Sequence, residues 1–172
     1  MSAAAVLFHV SEDAGINLFQ RRPDPGGRLG DVVWAIDEER LPNYLLPRDC
    51  PRLTFYAGPE TKAADRLRFL GPVSARHIVA IESAWHERAS RQPLHFYHLP
   101  PAQFRLSDGC AGYSVARGDV RSEACCFVPA ALAELLRRDV EMRVVRSLWP
   151  LRDLVVLQFS IIRMQNGGPR GA

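Results

Sequence analysis

The sequence predicts an α+β fold, a compact single domain of short, mostly antiparallel strands with flanking helices, and three observations predict it. Apolar runs of four to eight residues, the length of buried strands, recur about seven times along the 172 residues. Four or five further windows carry apolar residues at helical spacing. The two kinds do not alternate regularly and no segment repeats, which argues against a doubly wound sheet. The globular part is expected over residues 1–166, with 167–172, a Gly-rich end, as a frayed tail.

Taken in order, AAAVLFHV at residues 3–10 reads as a buried first strand ending at Ser11. Side chains alternate across a strand, so His9 shares a face with Leu7 and points away from Phe8 and Val10. It reads either as a core histidine held by one backbone hydrogen bond or as a donor to a ligand at a strand end. Residues 20–30, QRRPDPGGRLG, form a loop. Val32 to Ile36 lacks polar alternation and predicts a strand buried on both faces or facing a closed cleft. Asp37 suits an N-cap, with Glu38 and Glu39 in the first turn of a helix that Pro47 ends. Leu53 to Tyr56 resumes a strand.

A helix opens at Glu60 or Thr61, carries Ala64, Leu67 and Leu70 on its apolar side and closes at Gly71. A strand at His77 to Ile81, a polar helix around Ser83 to Ser90 and a strand at Leu94 to Leu99 follow. Ser107-Asp108-Gly109 is turn chemistry, Tyr113 to Val115 a strand, and Arg117-Gly118-Asp119 a turn. PAALAELLRRD from Pro129 predicts a helix with Ala131, Leu132, Leu135 and Leu136 on one stripe, and Glu141 to Val145 a strand. Ser147 then caps a helix that runs to about Gln165, with Leu151, Leu154, Val155, Phe159 and Ile162 facing the core; a strand over Val155 to Ile162 competes with it.

Composition narrows the function classes. No apolar run reaches the roughly 18–20 residues of a membrane span, and the N-terminus lacks a charged region followed by an apolar one, which together predict a cytoplasmic chain. A net charge of +3, with arginines dispersed among acids, makes a nucleic-acid groove an unfavoured partner surface. Cys50, Cys110, Cys125 and Cys126 are not spaced as metal-binding pairs and read as reduced thiols, mostly packed as small apolar groups. His95 and His98, three apart in a strand, point to opposite faces, so no metal is expected there.

No phosphate loop, dinucleotide fingerprint, zinc-protease or serine-hydrolase motif occurs. What remains is a dispersed set: His9 at the end of the first strand, Trp34 within the second and Asp108 in a turn, with Tyr44, Tyr113 and Arg48 near them in the pattern. A histidine donor, an aromatic face and a carboxylate suffice to hold a nucleoside sugar, stack a planar ring and stabilise positive charge on the sugar during glycosidic cleavage.

Nearly the whole chain, from LFHVSED through VVWAIDEERLPNYLLPRDCPR and AGYSVARGDV to SLWPLRD and FSIIRM, resembles an uncharacterised bacterial family of domains of unknown function. In layout the chain is also similar to compact ADP-ribosyltransferases of the small antibiotic-modifying type. The similarity rests on Phe8-His9, Val33-Trp34-Ala35, the turn from Phe104 to Asp108 and the segment Tyr113 to Val120. That likeness implies NAD as substrate, His9 as the ribose-orienting histidine, Trp34 as the nicotinamide-stacking residue and Asp108 as the acid. Arg22 or Arg48 would meet the pyrophosphate, with Tyr44 and Tyr113 lining the cofactor. Trp34 stands where such enzymes usually carry Tyr, and Val10 where they carry Gly. Two other readings stand beside it: a non-catalytic small-molecule or partner-binding module, and an RNA-processing phosphotransferase-like enzyme using Arg48, Arg52, Arg117 and Arg121.

Overall fold

The computed structural model describes residues 6–58, 61–71, 75, 77–109, 111–156 and 162–165, the backbone alone at 155, 156 and 162–165. The fold is α+β, with mostly antiparallel strands and a few short helices. In chain order the strands are β1 (Leu7–Ser11), β2 (Leu18–Phe19), β3 (Arg22–Pro23), β4 (Asp31–Asp37), β5 (Arg52–Tyr56), β6 (His77–Glu82), β7 (Leu94–Leu99), β8 (Arg105–Asp108), β9 (Tyr113–Ala116), β10 (Val120–Arg121), β11 (Ala124–Val128), β12 (Val140–Val145) and β13 (Ile162–Gln165). The helices are α1 (Ala63–Leu70), α2 (His86–Arg91), α3 (Ala131–Leu136) and α4 (Leu148–Val156).

Two compact units share these elements. The first comprises residues 1–44 and 93–129, the second 45–92 and 130–172. In the first unit a seven-stranded sheet runs β11-β7-β1-β4-β9-β8, with β3 also paired to β4, and β2 pairs with β10 separately. Every pairing in this unit is antiparallel. Leu7, Val33, Ala35, Tyr97, Leu99 and Ala116 project from one face of the sheet and, with Phe19 and Val120, form its core.

The second unit holds the sheet β12-β6-β5-β13, in which β12 and β6 are parallel and the other pairs antiparallel. Its strands β5 and β6 are buried on both faces: Leu53, Phe55, Ile78 and Ala80, which share one face, show 0% exposure, and so do Val79 and Ile81 on the other. Phe69, Leu70 and Leu148 complete that core.

Several expectations are revised. Asp37 to Leu46 is not an α-helix; only Leu41–Tyr44 winds, as a 3-10 turn. Pro42 and Pro47 each lack an amide donor, too heavy a loss for a segment this short. Asp37 does cap the turn before it, its carboxylate accepting the Arg40 amide at 2.7 Å. α1 closes at Gly71, whose φ of 70° takes the left-handed conformation glycine allows. Its buried residues are Phe69 and Leu70, whereas Ala64 and Leu67 are exposed.

Asp108 ends strand β8 instead of sitting within a turn. β2, β3, β10 and β11 have no counterpart in the sequence reading, which places β3 inside the 20–30 loop, because two-residue strands and a polar-flanked CCF run carry no clear period. Ser147 caps α4, accepting the Trp149 amide at 3.4 Å, but the helix ends at Val156 and the chain is extended again at Ile162–Gln165. Leu154 lies 47% exposed, outside the core it was expected to join. The competing strand over Val155 to Ile162, and the tail 167–172, lie outside the described residues or their side chains.

Candidate functional site

Strand register decides which of the candidate residues share a surface. Directly opposed residues in antiparallel strands project to the same side. Ile36 faces Tyr113 and Trp34 faces Val115 across β4 and β9, while Arg22 on β3 faces Val32 on β4. Arg22, Trp34, Val115 and Tyr113 therefore lie on one face, opposite to the Val33 and Ala35 that feed the core. β8 adds to this face. Arg105 pairs with Val115, and a bulge between Leu106 and Asp108 places Asp108 opposite Tyr113.

Aromatic contacts join the centre of this surface. The Trp34 and Tyr113 rings meet edge to face with centroids 5.3 Å apart. Tyr44, at the end of the 3-10 turn, approaches Tyr113 with centroids 6.3 Å apart, and the two hydroxyls are hydrogen-bonded. All three rings are half-buried, which leaves part of each open to a ligand. Arg22, Arg105 and Asp108 are exposed around them. The Asp108 carboxylate accepts the Ala111 amide at 3.0 Å, a short turn that orients it.

His9 stands elsewhere. It follows Leu7 by two residues, so its ring projects from the core face, where it packs on Phe19 with centroids 4.7 Å apart. Its Nδ1 lies 3.3 Å from the Trp34 carbonyl, which only accepts, so Nδ1 carries the proton. His9 thus meets Trp34 through the backbone of β4, from the side opposite the indole. Arg48, exposed, belongs to the second unit.

The strand end beside Tyr113 is built around one glycine. Gly112 has φ 68°, and a Cβ there would fall 2.4 Å from Asp37 Oδ2 and 2.5 Å from the Arg40 side chain. Its carbonyl accepts the Asp37 amide at 3.0 Å. Burial raises the Asp37 carboxyl above the ordinary range, against the opposing pull of the Arg40 amide and guanidinium.

Other sequence candidates have structural duties. Arg52 is buried at 3% exposure, its guanidinium donating to the carbonyls of Cys50, at 3.0 Å, and of Pro47. Asp49 pairs with Arg88 at 2.9 Å. Asp119 of the Arg-Gly-Asp turn holds Arg21, accepting from both its amide and its guanidinium. Cys50 is buried, but Cys125 and Cys126 are exposed, contrary to their expected packing; Cys110 lies outside the described residues. Among the described residues no group of three or more His, Cys, Asp or Glu side chains is placed to hold a metal. No helix among them is long and apolar enough to cross a membrane.

Arg105 is the member of this surface that sequence reasoning missed. Reading Phe104 to Asp108 as a turn hid the strand alternation that would have put Arg105 beside Trp34's cross-strand neighbour.

Residues 8–167 match a family of unknown function, DUF6886. The chain belongs to this family. The match spans both units, so the DUF6886 region includes the aromatic face and the second sheet alike. No curated protein and no solved structure matches the chain.

Proposed function

We propose that the Trp34 face binds a dinucleotide of the NAD type, with cleavage of the nicotinamide–ribose bond as its chemistry and an ADP-ribosyltransferase-like arrangement as its scaffold. One observation carries the reading: Trp34, Tyr113 and Tyr44 form a joined aromatic patch with Asp108 in register beside it and Arg22 on the same face. A planar cationic nicotinamide suits an aromatic face, through stacking and cation–π attraction. Asp108 supplies negative charge where an oxocarbenium ion would develop on the ribose, and Arg22 with Arg105 supplies donors for a pyrophosphate. In this arrangement His9 is a positioning residue that fixes the Trp34 backbone, instead of the ribose ligand that the family likeness implied.

The position of His9 also favours a second reading, a binding module without turnover, because the sugar-orienting donor is on the other side of β4. The RNA-processing alternative is less well supported. Arg52 is committed to backbone carbonyls.

Calorimetry with NAD at millimolar concentration, followed by assay of released nicotinamide, separates the readings. Binding with release supports the enzyme, binding without release supports the module, and no binding removes both dinucleotide readings. Trp34→Ala is expected to weaken binding about tenfold or more, since stacking on an aromatic side chain contributes roughly 1–3 kcal/mol per base. Asp108→Asn is expected to suppress release while sparing affinity.

A further inference from the structure

The edge strand β11 carries two adjacent exposed cysteines, and each has a different histidine of β7 beside it. Cys125 Sγ lies 3.8 Å from His95 Nδ1, and Cys126 Sγ lies 3.7 Å from His98 Nε2. Register puts the two pairs on opposite faces of the sheet: Cys125 opposes Tyr97 while Cys126 opposes Phe96. Both imidazoles are held by rings. His95 packs on Phe127 with centroids 5.3 Å apart, and His98 meets Phe8 edge-on at 4.8 Å. Tyr97, a polar group also near Cys125, is no competing base, because burial raises its phenol further and its hydroxyl donates to the Asp13 carbonyl at 2.8 Å.

We propose that Cys125–His95 and Cys126–His98 are two independent sites of thiol–disulfide exchange with low-molecular-weight disulfides. At each, the imidazole takes the thiol proton and the thiolate attacks one sulfur of the small disulfide. A protein–ligand S–S bond forms, the S–S bond of the small disulfide breaks, and the released thiolate takes the proton back from the imidazolium. The products are one mixed disulfide and one free small thiol. Bonding between the two cysteines is disfavoured, since neighbouring Cα atoms lie about 3.8 Å apart, shorter than disulfide geometry prefers. Cys50 marks the contrast within the same chain: it is buried, and burial pushes its thiol up to about 11.

The test uses the full chain carrying Cys110→Ser, reacted with glutathione disulfide and, for rates, with a chromogenic aryl disulfide, adducts being located by peptide mass spectrometry. Two adducts per chain are expected, at Cys125 and Cys126, with Cys50 unmodified until the protein is denatured. His95→Asn should slow Cys125 roughly tenfold or more while leaving Cys126 at its original rate, and His98→Asn should do the converse. Each variant's melting temperature is read alongside. The unaffected cysteine serves as an internal control, because a global loss of structure would change both rates together. Equal slowing of both cysteines by either variant, rates indifferent to both histidines, or a Cys125–Cys126 disulfide as the product would overturn the proposal.

Discussion

At the residue scale, Gly112 is the tightest constraint near the aromatic face. A side chain there meets the Asp37 carboxylate and Arg40 at contact distances no Cβ tolerates, in a backbone conformation that L residues avoid. Gly112→Ala is therefore expected to destabilise the fold by about 2–3 kcal/mol, read from urea unfolding midpoints. Asp37 makes a separate prediction in pH. Its carboxyl titrates higher in the folded state than in the unfolded chain, so it binds the proton more tightly when folded. The stability it contributes is fully present at pH below the unfolded value and is lost as pH rises through the folded one. Asp37→Asn removes that component while keeping an oxygen to accept the Arg40 amide. Its stability relative to wild type should accordingly improve from acid to neutral pH, and a difference that stays flat across that range would show that Asp37 is not the group responsible.

Strands whose side chains carry their own period or are apolar throughout were legible at the element scale. β1, β4, β5, β6, β7 and β9 fall where the runs at Leu7, Val32, Leu53, His77, Leu94 and Tyr113 placed them. α1 and α3 also sit within their expected windows, and α2 runs one residue past its own. What failed did so for physical reasons. Prolines shortened the segment after Asp37 to a single 3-10 turn, and α4 ends before a segment whose β-branched residues had already made it ambiguous. The candidate site was legible in part. Alternation along β1 correctly separated His9 from Phe8 and Val10, but only register between strands shows that Trp34 projects with Phe8's side of the sheet, and register is not written in either strand alone. Element positions also predict dynamics. β8 lies at a sheet edge with all four residues exposed, whereas β6 lies inside its sheet with His77 to Ile81 buried. Native-state hydrogen exchange should find the β6 amides the more protected by orders of magnitude. Comparable protection of β8 would indicate a covered edge.

At the scale of the whole molecule, each unit is assembled from two separated stretches of chain. No single cut releases either one intact. A fragment of residues 1–92 keeps β1 and β4 but loses β7, which pairs with all five residues of β1. It is expected to show no cooperative thermal transition by circular dichroism, while residues 1–166 should retain one. The same arrangement sets an order of events at birth. β1 leaves the ribosome before β4 and β7, pairs with β4 through only two residues and must await β7, some ninety residues later, for the rest of its ladder. At ordinary synthesis rates that delay is on the order of ten seconds. During it, Leu7, Phe8 and Val10 would be exposed on an incomplete sheet, so the nascent chain is a natural client for a chaperone that holds short apolar segments.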